Sequence, residues 1–526
     1  MWKKILFALS CAATAWGLTP AQVVVVYNAE SPLSEKAARR YCEVRHIDVS
    51  QMVALHGVKS GDISRADFER KVKSPLLYAA SGNDWRYPAQ RTGGKEMGAM
   101  VLMPDLPLRV QESPAVNEAR RKKAEAIKRG EAQGKVEWTP DEAASVDSEL
   151  MLLGSNYPLH SALQNPCYKK DAPLTAQHAP LLAVCRIDGP DEQTIANMIF
   201  DPVRVEREGL WGWTVIDEGG PYAEGEKMFK AAATSAMQSY QPLFYETSKK
   251  TLAHSFPLMK QTAVYFGWYE YRANGPFHPE AAPEFRFAPG AVAAHLHSFS
   301  CENCKDAKQW APALLKRGAA VTMGNVYEPF LAGCHDFGVF YDRLLKGYCV
   351  ADAMLMATPL ISWQEVTFGD PLYRPFAAFK RGNRPSGNMY AEWQSLSSRY
   401  AGMPDAMEPM VRAKLGKPEG AFFAESFAYL CAEKKKFNMA ADYFRMAQNA
   451  AKEPADKLRA RLMQITCLAL AKDQGTAKQL MLQTLEETAA SPHRAAAEAT
   501  AAVVIPKEWA AIKKAADEAK KAPAGK

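Results

Sequence analysis

Between Val23 and Arg374 short apolar runs alternate with stretches of helical period, and that alternation confines the chain to a sheet layered between helices. Val23-Val-Val-Val-Tyr27 is β-branched, and Ser31-Pro32 then opens a helix, with proline at a position that spares its missing N–H. Met52 to His56 gives a second strand, and Met100 to Pro104 with Leu108 to Val110 a third. Further strands are expected at Leu181 to Cys185, Trp213 to Ile216, Thr262 to Glu270, Ala291 to Ser300 and Ala320 to Met323, and Val366 to Arg374 closes the series. The expected class is α/β, a mostly parallel sheet with helices on both faces over residues 18–384. A charged insertion at about 112–145 includes Glu118-Ala-Arg-Arg-Lys-Lys-Ala-Glu-Ala-Ile-Lys-Arg129, which has almost no apolar face and reads as solvated.

From residue 385 to 515 the pattern becomes Ala-, Met-, Leu- and Lys-rich and helical. Phe427-Ala-Tyr-Leu-Cys-Ala-Glu-Lys-Lys-Lys-Phe-Asn-Met-Ala-Ala-Asp-Tyr-Phe444 resembles a tetratricopeptide-like helix pair, with a looser echo from Cys467 to Leu480. That likeness implies an all-α region able to present a surface to a protein partner. Residues 516–526 are Lys- and Ala-rich and are expected to be disordered.

The chain has 526 residues, 48% of them hydrophobic, enough for two or three cores. A net charge of +7 from 65 basic and 58 acidic residues, concentrated in the insertion and the tail, gives no nucleic-acid surface. Residues 1–17, with Lys3, Lys4, a short apolar run and small residues at Ala15 and Gly17, read as a secretory signal cleaved near Gly17. Cys11 raises lipid anchoring as a lesser alternative, but Ala8 stands where a larger aliphatic residue is usual. No later run is long enough to span a bilayer, so the expected location is periplasmic or secreted.

The chemistry centres on Cys301, at the tip of the run Ala291-Val-Ala-Ala-His-Leu-His-Ser-Phe-Ser300. A thiol at a strand end faces the ligand crevice of a parallel sheet, but it needs a base to become a thiolate at neutral pH. The preceding strand ends in Gly267-Trp268, leaving His278 in Gly275-Pro-Phe-His278 as a displaced candidate. Cys301, Cys304, Cys334 and His335 with His295 or His297 supply a zinc-like donor set, yet one Cys-x-x-Cys beside an adjacent Cys-His pair departs from zinc spacing. The expectation is no metal and no cofactor. Cys334 is read as disulfide-bonded to Cys301 or Cys304, or as part of a reduced cluster. Asp147 and Glu149 are read as ion-paired with Arg109 or Arg186.

A third constellation is carboxylates at strand ends: Asp105, Asp188, Asp217, Glu218, Glu270 and Glu328, all on one rim if the sheet is parallel throughout. Trp211, Trp213, Trp268 and Tyr269 stand beside them in sequence, and flat aromatics with acids suit a glycan. From this set Asp188, Asp217, Trp268, Glu270 and Glu328 are the candidate binding residues.

Val25-Val-Tyr-Asn28, Arg186-Ile-Asp-Gly189, Phe266-Gly-Trp268 with Gly275-Pro-Phe277, Gly324-Asn-Val-Tyr-Glu-Pro329 and Gly369-Asp-Pro-Leu-Tyr-Arg-Pro375 together resemble a family of exported bacterial proteins without an assigned function. More distantly, the order of strand, Cys301 strand, helix, alanine-rich strand and Gly369-Asp-Pro371 is similar to that of caspase-like, gingipain-type cysteine peptidases. That likeness implies a caspase-like fold, while the histidine-glycine pair of those peptidases is absent at Gly267-Trp268. The expected role is therefore a non-catalytic scaffold for a peptide or glycan. A hydrolase using Cys301 and a carbohydrate-active protein using the strand-end acids are the alternatives.

Overall fold

Ten short strands, most of them wholly buried, build the core of the computed structural model, which describes residues 17–86, 95–112, 114–134, 143–155, 162–177, 179–281, 283–380, 382 and 384–521. They are β1 (Val23–Asn28), β2 (Met52–Leu55), β3 (Ala99–Leu102), β4 (Ala183–Arg186), β5 (Trp213–Asp217), β6 (Leu243–Glu246), β7 (Thr262–Gly267), β8 (Val292–His295), β9 (Thr322–Asn325) and β10 (Glu365–Phe368). One sheet of six runs β9-β10-β4-β3-β1-β2 and one of four runs β6-β5-β7-β8. A parallel bridge between Val292 and Val321, with the Ala293 N–H donating to Val321 O at 2.9 Å, links them edge to edge.

Every pairing in this array is parallel except β9 with β10, where Thr322 opposes Phe368 and Asn325 opposes Glu365. Two helices, Phe337–Leu345 and Val350–Ala357, lie between those strands. One helix returns the chain to start a parallel strand, and a second carries it back to start an antiparallel one. The strands β1 to β4 therefore run opposite to β5 to β9, and the carboxyl ends of the two groups emerge at opposite edges.

The expected class, α/β with a mostly parallel sheet followed by helices, is what the structure has. The details differ in places. Pro107–Gln111 does not continue β3 but pairs with Gly61–Ser64 and Ala144–Ser145 in a separate three-stranded sheet. The strand expected from Ala291 to Ser300 stops at His295, because the chain then turns. Within the charged insertion Pro114–Lys128 is helical, while residues 113 and 135–142 lie outside the described residues. The tail expected to be disordered from 516 remains helical to Lys521, within Pro506–Lys521, and residues 522–526 lie outside the description. The signal segment and Cys11 also fall outside it, in residues 1–16. Among the described residues no helix is long and apolar enough to cross a membrane.

From Met389 the chain is a run of helices. Gly420–Glu433 packs on Phe437–Ala450 through Phe427 against Tyr443 and Tyr429 against Phe444. This region shares its core with the sheet: Trp213 meets Phe422 at 5.5 Å, and Phe244 meets Tyr429 at 5.1 Å. A buried ion pair pins the junction. Arg459 donates to both carboxylate oxygens of Glu425, at 2.7 and 2.8 Å, and also to Pro257 O at 3.0 Å in the loop before β7. Removing Glu425 takes two hydrogen bonds from the buried Arg459 guanidinium and leaves only Asp456, at 2.8 Å, and Pro257 O facing it. Glu425→Ala should lower the unfolding free energy by about 3 to 5 kcal/mol in urea titrations, and a loss under about 1 kcal/mol would contradict this role.

Candidate functional site

The reversal at β9 and β10 divides the strand-end acids that the sequence placed on one rim. Asp105 and Asp188 follow β3 and β4, whereas Asp217, Glu218, Glu270 and Glu328 follow β5, β7 and β9 at the other edge. At the first edge the acids are already neutralised. Lys305 reaches Asp188 at 2.5 Å and Asp105 at 3.3 Å, the Cys304 thiol donates to Asp188 at 3.3 Å, and Ser31 donates to Asp105 at 2.7 Å. Arg186, fully buried, holds Asp147 at 2.6 Å, as expected from sequence. Glu149 pairs with Arg65 at 2.9 Å and accepts from Ser362, while Arg109 holds Asp62. Asp188 is thus sealed and paired, which removes it from the ligand-facing set.

Cys301 lies in the core beside this lattice. Its N–H donates to Asn325 O at 3.0 Å, and its Cβ packs so tightly on Gly324 that a side chain there would approach it to 2.9 Å. Burial pushes the thiol well above the ordinary cysteine range, and Arg186 nearby offsets only part of that. His278 is not its base: its Nδ1 accepts from the Glu280 N–H at 3.1 Å, its ring meets His254, and no hydrogen bond joins it to Cys301. All nine described cysteines are free thiols, so the Cys334 disulfide is replaced by the reduced arrangement, with Cys334 donating to Phe330 O at 3.4 Å. Among the described residues no group of His, Cys, Asp or Glu is arranged to hold a metal ion.

At the second edge Glu246, Asp217, Gly267 and His295 stand in one row across β6, β5, β7 and β8. His295 Nε2 accepts from the Glu270 N–H at 3.2 Å, so its proton sits on Nδ1 and is donated to the Tyr265 hydroxyl at 3.1 Å. Tyr265 in turn donates to Asp217 Oδ2 at 3.4 Å. Gly267 is required here, because a Cβ would stand 2.2 Å from that hydroxyl. His295 lies flat on Trp310, with ring centroids 3.4 Å apart, and burial holds its imidazole well below the usual value. The array is closed to ligand.

Among the described residues the buried Asp217 Oδ1, Glu246 Oε2 and Glu226 Oε2 have no hydrogen-bond partner. Asp217 stands opposite Glu246 on the neighbouring strand and Glu218 lies close to Glu226, so a proton held on one carboxyl group of each pair would supply the missing partner. Burial raises Asp217 far above the carboxylate range, and burial with the Glu226 contact pushes Glu218 up to about 7.

In front of this row lies an exposed aromatic rim that the sequence reading located only in part. Tyr222 is 51% exposed, Tyr269 37%, Tyr271 51% and Phe330 48%. Tyr222 meets Tyr269 edge-on at 6.0 Å, and His297 packs on Tyr269 at 4.6 Å and on Tyr271 at 5.5 Å. Glu328 and Glu270, both half-buried, place their charges beside His297, and Glu328 also faces Tyr269. The expected tryptophans do not belong to it. Trp211 and Trp213 are in the core against Phe379 and Phe422, and Trp268 stacks on Phe229 with its indole resting on Gly220 and Gly225. No sequence signal separates Tyr222 and Tyr271 from other loop tyrosines, since only the turns at the strand ends bring them together.

Compared with known proteins, the chain matches no family model, no curated protein and no solved structure.

Because Glu218 is raised from 4.5 to about 7 in the folded chain, the stability it contributes is complete below about pH 4.5 and is lost as pH rises through 7. Glu218→Gln should therefore flatten the melting-temperature profile between pH 5 and 8 and leave the variant more stable than the parent at pH 8. An unchanged slope would contradict the shared proton.

Proposed function

We propose that the chain is an exported, non-catalytic scaffold that binds a peptide or glycan partner across the rim of Tyr222, Tyr269, Tyr271 and His297, with a glycan favoured. The observation that carries this reading is the contrast between the two edges: at the first Asp188 and the Cys304 thiol are buried and paired and Asp105 is held by Lys305, while the second exposes aromatic faces beside carboxylates. Sugar rings stack on such faces, and hydroxyls bind the acids around them. A peptide held by strand addition would need a free sheet edge, but the rim follows β5, β7, β8 and β9, each of which has neighbours on both sides.

Catalysis is less well supported. Among the described residues no imidazole hydrogen-bonds Cys301, and its thiol is fully buried, so a peptidase lacks both its thiolate and its route to substrate. Glycoside hydrolysis needs two carboxyl groups held about 5 to 9.5 Å apart across the scissile bond, whereas Asp217 is fully buried opposite Glu246 on the neighbouring strand and Glu218 is raised by burial and its closeness to Glu226. The similarity of the strand order to caspase-like peptidases is compatible with an inherited framework that now serves binding.

The wild-type chain should capture ligands on an array of glycans and peptides, and Tyr269→Ala with Tyr271→Ala should weaken that capture about tenfold or more at unchanged melting temperature. Undiminished capture by the variant, or none by the parent, would contradict the proposal.

A further inference from the structure

The chemistry of the rim narrows its ligand further, an inference that rests on the binding role just proposed. His297 Nδ1 lies 2.5 Å from Ser298 O, so that nitrogen carries the proton and Nε2 presents a bare lone pair. Glu328 uses Oε1 to accept the Phe330 N–H at 3.0 Å, leaving its second oxygen for a ligand. The Glu270 carboxylate has no hydrogen bond or ion pair among the described residues; only its main chain is engaged, by His295 and Trp310. The neighbouring cation, Arg272, is held over Tyr271 at 4.7 Å and against Asp306 at 3.8 Å. Apart from the tyrosine hydroxyls and the Arg272 guanidinium, which covers one face of Tyr271, the rim offers acceptors: two carboxylates, one imidazole lone pair and the electron-rich faces of Tyr222 and Tyr269.

A surface of that kind discriminates by charge as well as shape. A neutral sugar would stack on the tyrosines but leave Glu270 and Glu328 desolvated against hydroxyls alone. An ammonium group on the same ring would gain charge-assisted hydrogen bonds to those acids and cation–π contact with the face of Tyr269 or Tyr222. We propose that the rim selects a cationic glycan, an oligomer of amino sugars whose amino groups are free rather than acylated.

Two ligands of equal length and linkage isolate the charge: the β-1,4-linked hexamer of glucosamine and its fully N-acetylated counterpart, each titrated calorimetrically into the full chain at pH 6, where the free amines are protonated. The glucosamine hexamer should bind about tenfold or more tightly than the acetylated one, as expected for one desolvated ion pair with cation–π contact. Glu328→Gln and, separately, Glu270→Gln should each reduce that preference, and so should added salt. Equal binding of the two hexamers, or a preference for the acetylated one, overturns the charge selection. If Tyr269→Ala with Tyr271→Ala abolishes binding of the acetylated hexamer in that case, the rim remains the binding site. A hexalysine peptide that binds as tightly as the glucosamine hexamer overturns the sugar class. No binding of either hexamer by the folded chain overturns this inference together with the glycan preference beneath it.

Discussion

The antiparallel pairing of β9 with β10 is the constraint on which the rest of the site depends. It joins two parallel groups of strands that run in opposite directions, so a chain whose acids follow its strands delivers them to two edges. At the first edge Arg186 and Lys305 neutralise them, and the loop after β8 that carries Lys305 also buries Cys301 and Cys304. At the second edge Asp217 and Glu218 follow β5, and each meets another carboxyl group. Like charges in contact tolerate burial only by holding a proton between them. The acids of the first edge are therefore compensated by cations and the buried acids of the second by protons.

The second edge also shows why a buried polar row and an exposed rim belong together. His295, Tyr265 and Asp217 form a directed chain of hydrogen bonds that fixes the ends of β5, β7 and β8, and Gly267 leaves room for it. With those ends fixed, the turns beyond them place Tyr269, Tyr271 and His297 against one another. The rim is displayed by a rigid support, which lowers the ordering cost of binding.

Much of the fold was legible in the sequence because burial on both faces leaves β-branched runs, as at Val23 to Val26, and because helical period separates them. Strand direction was not. The segment from Val326 to Gln364 reads like an ordinary crossover, and only the presence of two helices in it, Phe337–Leu345 and Val350–Ala357, reverses the strand that follows. That single parity governs whether Asp188 and Asp217 share a rim. The ion pair of Asp147 with Arg186 was legible, since a buried acid needs a base. Trp211, Trp213 and Trp268 misled because a large aromatic near a strand end is as readily packed inward as outward, and here Phe379, Phe422 and Phe229 draw them in.

Hydrogen exchange read by mass spectrometry, with and without the tightest-binding glycan, tests most directly whether ligand engages the second edge alone. Peptides spanning residues 268–272, 296–299 and 327–331 should gain protection, while those spanning 186–189 and 301–305 should be unchanged. Protection confined to the segment around Cys301 and Lys305, with none at the tyrosine rim, would contradict the account.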